Sequence, residues 1–177
     1  MKLCVFGSSS ASLAPIYLSE AEALGRAIAL HGHELVFGGY DTGLMGAVAS
    51  GAAEMGGCIT GVIPESLEGK GRKVFPCTTL ETTPNLAERK NRMIALSDGF
   101  ITLPGGLGTF DELFSVLSLE KASEIDSKSA LLNVAEYFNP LIRMLDDAYE
   151  KGLNSTNWRE GCEVFTNPEE LVSWMER

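Results

Sequence analysis

The sequence predicts a single α/β domain in which a mostly parallel sheet is covered by helices on both faces. Short apolar segments of strand length alternate with stretches of helical periodicity, the order expected of βαβ units. Most strand segments lack polar alternation, as strands buried on both faces do. The chain has 177 residues and 45% of them are hydrophobic, which suits one domain with a full core over residues 1–177.

The predicted elements follow one another along the whole chain. Six strands are predicted at Lys2–Phe6, Glu34–Gly38, Cys58–Ile63, Gly99–Leu103, Ser129–Asn133 and Cys162–Phe165. Six helices are predicted at Pro15–His31, Gly43–Met55, Pro84–Leu96, Phe110–Ala122, Phe138–Lys151 and Pro168–Met175. Three of these helices begin with proline, which suits a first turn. The segment Glu65–Lys73 is either an exposed connection, the favoured interpretation, or a mobile loop over the site.

Composition excludes several classes of function. The net charge is −10, which argues against a nucleic-acid or anionic-membrane partner but not against a small anion held by backbone N–H groups. No run of 18 apolar residues occurs, so no transmembrane helix is expected. With four cysteines, two histidines and no C-x-x-C pair, a zinc site is improbable. Cysteines within apolar segments indicate a reducing, cytoplasmic compartment.

Three glycine-rich turns follow predicted strands. They are Gly7–Ser10, Gly38–Gly46 and Pro104–Thr109, and parallel strands bring all three to one sheet edge, where ligands bind. Glycine allows close backbone approach, and the following helix supplies unpaired N–H groups, so such a turn holds phosphate without lysine. A tight turn alone is the alternative, open for the first turn but less suited to the third, with three glycines in four positions. No dinucleotide fingerprint or Walker lysine is present, which disfavours NAD and ATP chemistry.

Arg89 interrupts an apolar stripe. On a helix over Leu86–Leu96 it falls between Leu86, Met93 and Leu96, so we expect it to be half buried with an anion or carbonyl partner. The alternative to a role in the active site is a structural salt bridge, or an aliphatic stem that carries the guanidinium outward to solvent.

Glu112 has two interpretations of equal weight. Thr109-Phe110-Asp111-Glu112 fits a capping box, in which Glu112 only bonds back to the Thr109 backbone. Alternatively, Glu112 is a catalytic carboxylate at the end of the third glycine turn.

The two motifs together are typical of a known family. Glu88-Arg89-Lys90 with Met93, followed by the Pro104–Glu112 segment (PGGLGTFDE), resembles the LONELY GUY family of cytokinin riboside 5′-monophosphate phosphoribohydrolases, long mislabelled as lysine decarboxylases. The second turn (GLMG, 43–46) and the LLN strand at 131–133 extend the resemblance over most of the chain.

The resemblance implies a Rossmann-like doubly wound fold and a homodimer with active sites near the interface, without metal or organic cofactor. It implies hydrolysis of adenine-type nucleoside 5′-monophosphates, with or without an N6-isoprenoid group, to the free base and ribose 5-phosphate. Arg89 and Glu112 become the catalytic pair. The phosphate- and substrate-binding candidates are Gly7, Ser8, Gly39, Gly43, Met45, Gly46, Lys90, Gly105, Gly106, Gly108 and Thr109.

Departures from the family pattern concern the base. Tyr40 stands where glycine is frequent, Ala11 near a frequent glycine, and Leu86 in place of a methionine. The segment Ser118–Ser127 lacks the expected aromatic residue and glutamine. The preferred base therefore stays open.

Two other functions compete with this one. A broader purine or pyrimidine monophosphate nucleosidase would share the chemistry, whereas a carrier would hold a phosphorylated ligand without cleaving it; the retained Arg89 and Glu112 favour an enzyme. Lysine decarboxylation lacks a candidate pyridoxal phosphate site.

Overall fold

One parallel sheet of seven strands organises the computed structural model, which describes residues 1–67 and 69–177. The strands are β1 (Lys2–Phe6), β2 (Glu34–Phe37), β3 (Ile59–Pro64), β4 (Thr79–Thr83), β5 (Gly99–Thr102), β6 (Lys128–Leu132) and β7 (Cys162–Phe165). Their order is β4-β3-β2-β1-β5-β6-β7, and every strand pairing is parallel. The strand order reverses between β1 and β5, so the ligand-binding crevice of such a sheet is expected at their carboxyl ends.

Six α-helices cover the sheet in the described residues: α1 (Pro15–Leu30), α2 (Gly43–Glu54), α3 (Leu86–Ala95), α4 (Leu107–Lys121), α5 (Asn139–Glu150) and α6 (Pro168–Met175). One core lies between the sheet and α1, α2 and α6. On the other face, α3 and α4 pack over the central strands, and α4 and α5 cover the β6–β7 side. The predicted α/β fold with helices on both faces is confirmed. Within the described part of the chain, no helix has the length and apolar character needed to cross a bilayer.

The six predicted strands are confirmed to within one residue at each end, but β4 was missed. Its sequence, Thr79 to Thr83 (TLETT), is polar and largely exposed. The strand lies at the sheet edge and pairs with β3 alone, so no buried apolar run marks it. Its three threonines, which are β-branched, were the available signal.

The segment from Glu65 to Lys73 begins with a single turn of 3₁₀ helix at Glu65–Leu67. Glu68 lies outside the described residues. Residues 69–73 are exposed, in agreement with the favoured interpretation of an exposed connection. The segment ends against the second glycine turn, where the Asp41 N–H donates to the Lys73 carbonyl at 2.8 Å and the two side chains form an ion pair.

Two glycines allow α1 and α2 to pack with their backbones in contact. A Cβ atom on Gly51 would lie 2.0 Å from the carbonyl oxygen of Glu22, and one on Gly25 would lie 2.0 Å from that of Val48. The obstacle in each case is backbone, which cannot swing aside. The helix pair thus requires glycine at both positions.

Replacing Gly51 by alanine is expected to lower the free energy of unfolding by about 1–3 kcal/mol, the cost of overpacking a tight contact. In an exposed helix the same change raises the free energy of unfolding by roughly 0.5–1 kcal/mol. The sign of the change in unfolding free energy therefore distinguishes a close helix contact from an exposed position. Urea denaturation measures it, with the exposed neighbour Ser50→Ala as the control. An unchanged or higher midpoint for Gly51→Ala would refute the close helix packing.

Candidate active site

Arg89 of α3 and Glu112 of α4 form an ion pair over the face that these two helices share. Nη2 of Arg89 lies 3.1 Å from Oε1 of Glu112, and the side chains are 14% and 11% exposed. The expectation that Arg89 is half buried with an anion or carbonyl partner is confirmed: the partner is the Glu112 carboxylate. Helical spacing also placed Leu86 on the apolar side, which is wrong: Leu86 is 50% exposed, because the buried residues of α3, Met93 and Ile94, lie in its second half.

The capping-box interpretation of Glu112 is wrong. Helix α4 was predicted to begin at Phe110, but it begins at Leu107 with Gly106 as its N-cap. Thr109 is therefore the third residue of the helix and Glu112 lies in its second turn. The carboxylate points to Arg89 of the neighbouring helix. Glu112 therefore does not cap α4, and its carboxylate is available for a chemical role.

Part of the Arg89 guanidinium has no partner. Its Nε is buried without a hydrogen-bond acceptor in the described residues, and Nη1 lies beside Gly38, where a Cβ atom would approach it to 3.3 Å and Sδ of Met45 to 2.8 Å. Gly38 thus makes room for Arg89 at the carboxyl end of β2. The sequence prediction missed this role, although the Gly38-Gly39 pair directly after a buried strand was the available signal.

Burial sets the charge state of Glu112. Desolvation raises its pKa to about 7, while the charges of Arg89 and Lys90 oppose the rise and that of Asp111 adds to it. Burial raises the pKa of the Cys4 thiol on β1, and the negative charge of the Glu112 carboxylate raises it further. Near neutral pH, Glu112 therefore exchanges protons readily, as a general acid or base must.

The third glycine turn presents an open backbone surface at the start of α4. No atom lies within 4 Å of a Cβ built on Gly106 or Gly108, so both glycines border open space. Gly105 is closed by the buried Thr109, whose Oγ1 would lie 2.1 Å from a Cβ there, and its carbonyl accepts the hydroxyl of Tyr137. The first N–H groups of α4 and its positive dipole end thus face solvent in a braced turn.

The first turn is hydrogen-bonded to the third, and the second turn is hydrogen-bonded to the first. The Ser8 N–H donates to the Pro104 carbonyl at 3.0 Å, and the Leu44 N–H donates to the Ser8 carbonyl at 2.8 Å. Gly43 has φ +58, and a side chain there would meet the Ser8 carbonyl at 2.4 Å. All three turns therefore meet at the carboxyl edge of the sheet, as predicted.

The remaining predicted residues lie around this edge. Gly7 packs between Leu103 and Leu44, and Gly39 packs against Ile63. Met45 lies against Gly38 and Gly46 against Asp41. Lys90 pairs with Asp111 across α3 and α4, at 2.7 Å. The glycines at 7, 39 and 43 have packing reasons of their own, so Gly106 and Gly108 carry the clearest sign of ligand contact.

A cavity of about 710 Å³ lies elsewhere, where β6 and β7 begin. Its lining includes Phe114, Glu120, Asp126 and Trp158 but neither Arg89 nor Glu112. We identify the site by its charge pair and open amides rather than by cavity size, because the larger cavity lies at the amino ends of the strands, away from the edge where parallel sheets bind ligands.

Comparison with known proteins identifies the family of this chain. The family model described as possible lysine decarboxylase matches residues 45–175. A cytokinin riboside 5′-monophosphate phosphoribohydrolase of Arabidopsis thaliana is 35% identical over 175 residues, covering 99% of this chain and 81% of the relative. The enzyme of that name from Rhodococcoides fascians is 40% identical over 133 residues, covering 75% and 67%.

Solved structures share the fold. The molybdenum cofactor binding protein of Rippkaea orientalis superposes with a TM-score of 0.75 at 23% identity, covering 99% of this chain and 94% of that one. The molybdenum cofactor carrier protein of Chlamydomonas reinhardtii gives 0.73 at 23%, covering 99% and 95%. At this identity the likeness concerns architecture alone. The family match and the full-length relatives decide the assignment: this chain belongs to the LONELY GUY family, the cytokinin riboside 5′-monophosphate phosphoribohydrolases.

Proposed function

We propose that this chain hydrolyses the N-glycosidic bond of adenine-type nucleoside 5′-monophosphates, cytokinin riboside 5′-monophosphates among them. The products are the free base and ribose 5-phosphate. The buried Arg89–Glu112 pair, held beside open helix-terminal amides at one sheet edge, carries the proposal. The names of the relatives support the same reaction.

Glu112 is the group that acts at the sugar. Breaking the C1′–N bond builds positive charge on the ribose, which an adjacent carboxylate stabilises. Glu112 also accepts a proton from the water whose oxygen bonds to C1′, and it passes that proton to the base nitrogen as the C1′–N bond breaks. Arg89 orients the nucleotide through Nε, its donor without a partner in the described residues, and stabilises negative charge on the leaving base.

The turn at Gly105–Thr109 is the phosphate cradle. The first N–H groups of α4 point to open space, and they and the helix dipole favour an anion there. Because the phosphate is remote from the broken bond, its binding energy fixes the ribose against Glu112. Ser8, Lys90 and Met45 then border the bound nucleotide at the same edge.

We also propose that the enzyme is a cytoplasmic homodimer. The apolar side chains of Leu86, Leu107 and Phe114 on α3 and α4 are 50%, 91% and 37% exposed, and a second copy would bury such a surface near the site. The four cysteines are free thiols, which fits a reducing compartment.

The pH dependence of turnover is expected to report Glu112. Its pKa is raised to about 7, and the carboxylate is the active form, so kcat/KM for AMP should be constant above about pH 8 and fall about tenfold per pH unit below 6. Initial rates of base release from pH 5 to 9 measure this. A flat profile, or a rise toward acid pH, would contradict the assignment of Glu112 as the base.

A substrate panel tests the proposed function. We expect release of base and ribose 5-phosphate from AMP and isopentenyladenosine monophosphate, resolved by chromatography, with little from CMP. Equal rates with CMP would indicate the broader nucleosidase, and binding of AMP without products would indicate a carrier. The AMP to isopentenyladenosine monophosphate ratio of kcat/KM measures the base preference that the Ser118–Ser127 departure leaves open.

A further inference from the structure

The two histidines of the chain converge with Glu176 at the edge of the sheet opposite the active site. His31 follows α1, His33 precedes β2, and Glu176 follows α6. Nδ1 of His31 and Nε2 of His33 each lie 3.0 Å from Oε1 of Glu176. The three ligand atoms lie within 4.8 Å of one another. The sequence showed no metal pattern because 145 positions separate His31 from Glu176.

We propose that His31, His33 and Glu176 form a site for a divalent transition-metal ion such as Zn²⁺. Two imidazoles and one carboxylate are a common ligand set for Zn²⁺, with water in the fourth position. Tetrahedral Zn²⁺ places its ligand atoms about 3.3 Å apart, given Zn–N and Zn–O distances of roughly 2.0–2.1 Å. The observed separations need only small side-chain adjustments to reach that geometry.

His33 supplies a second indication of a ligand. Its side chain is 9% exposed, and its buried Nε2 makes no hydrogen bond of good geometry, although Oε1 of Glu176 lies 3.0 Å away. A buried imidazole nitrogen without a partner costs free energy. A metal ion between the three groups removes that cost.

Glu169 completes the arrangement around His31. Its Oε1 lies 2.6 Å from Nε2 of His31, the nitrogen that faces away from Glu176. Metal-bound histidines commonly donate their second N–H to a carboxylate, which orients the ring and raises its basicity. Glu169 is thus a positioning residue and not a ligand.

Protons compete with the metal for this cluster. The hydrogen bonds from Glu169 and Glu176 raise the pKa of His31, whereas burial and the amino group of Met1, 3.4 Å from Nδ1, lower that of His33. A metal on Nε2 requires the proton of His33 on Nδ1, so the exposed Met1 amino group must turn away. Binding should therefore strengthen as the pH rises through the raised pKa of His31.

The ion would link the C-terminal end of α6 to the connection between α1 and β2. Arg89 and Glu112 lie at the other end of the sheet, so the metal is structural and independent of the proposed hydrolysis. Its expected signature is a higher melting temperature with unchanged AMP turnover.

Isothermal titration of the tag-free full chain with ZnCl₂ tests the proposal. The Cys58→Ser background removes an exposed thiol, a ligand type that zinc favours. We expect one Zn²⁺ per protomer, a melting temperature raised by about 5–11 °C at a hundredfold excess over the dissociation constant, and no response to Mg²⁺. His33→Ala and Glu176→Ala should each weaken binding at least about 100-fold, and Glu169→Gln about 10–100-fold.

Glu170→Gln is the matched control, because Glu170 lies on the same helix and is exposed outside the cluster. It should bind Zn²⁺ as the parent does. Absence of saturable binding, or equal binding by Glu176→Ala and Glu170→Gln, would overturn the proposal. Glu176 is 39% exposed, so its replacement keeps the test valid even if His33→Ala fails to fold.

Discussion

Replacing Glu112 by glutamine is expected to lower kcat/KM for AMP at least about 10³-fold while the fold is kept. Glutamine retains an acceptor for Arg89 Nη2 but supplies neither negative charge for the ribosyl cation nor a base for water, and loss of such electrostatic stabilisation costs roughly 10²–10³ in rate by itself. Release of adenine, with circular dichroism as the check on folding, measures the effect.

Glu120→Gln is the control for that variant. Glu120 lies on the same helix, is partly buried, and has a pKa raised by burial, but it faces Ser127 and Ser129 rather than Arg89. Its replacement should change kcat/KM less than about threefold, since no group of the proposed mechanism touches it. If Glu112→Gln kept a tenth of the parent activity, or if both variants lost activity alike, a catalytic role for Glu112 would be untenable.

Loss of phosphate binding is expected to have an effect of similar size. Adenosine, which lacks the 5′-phosphate, should react at least about 10³-fold more slowly than AMP in kcat/KM, because the anchor supplies the energy that orients the ribose. Gly106→Asp tests the protein side of the same contact. Aspartate is a favourable N-cap for α4, yet its charge occupies the anion site.

Gly106→Asn separates charge from size. No atom lies within 4 Å of a Cβ at position 106, and its backbone is extended at φ −98, so either side chain fits and either caps the helix. We expect Gly106→Asp to lose about 100-fold or more in kcat/KM for AMP, with most of the loss in KM, and unfolding at an unchanged or higher denaturant concentration. Equal activity of the aspartate and asparagine variants would show that the phosphate does not bind at this turn.

The fold could be predicted because its signals are local. A strand buried on both faces is a continuous apolar run, as in residues 3–6, and the glycine turns mark the carboxyl ends of such strands. The edge strand at Thr79–Thr83 was not predicted from the sequence. It pairs with one strand only and is partly exposed, so its sequence needs little hydrophobic pattern. The early start of α4 escaped because Gly106 caps without a side chain, so the capping signal was assigned to Thr109 instead.

The active-site pair could be predicted only in part. Helical spacing showed that Arg89 would be half buried with an anion or carbonyl partner, but not that the partner is a carboxylate 23 residues later on the next helix. The raised pKa of Glu112 depends on its burial in the folded chain, which no local motif encodes. The opening that Gly38 leaves for the guanidinium is likewise a tertiary feature.

A crystal structure of the Glu112→Gln variant with AMP tests the central claim most directly. We expect the 5′-phosphate on the amides of Gly106–Gly108 and C1′ within about 4 Å of the side chain at position 112, the range of a reacting contact. AMP bound in the cavity lined by Glu120 and Trp158, or with its phosphate away from the start of α4, would contradict it.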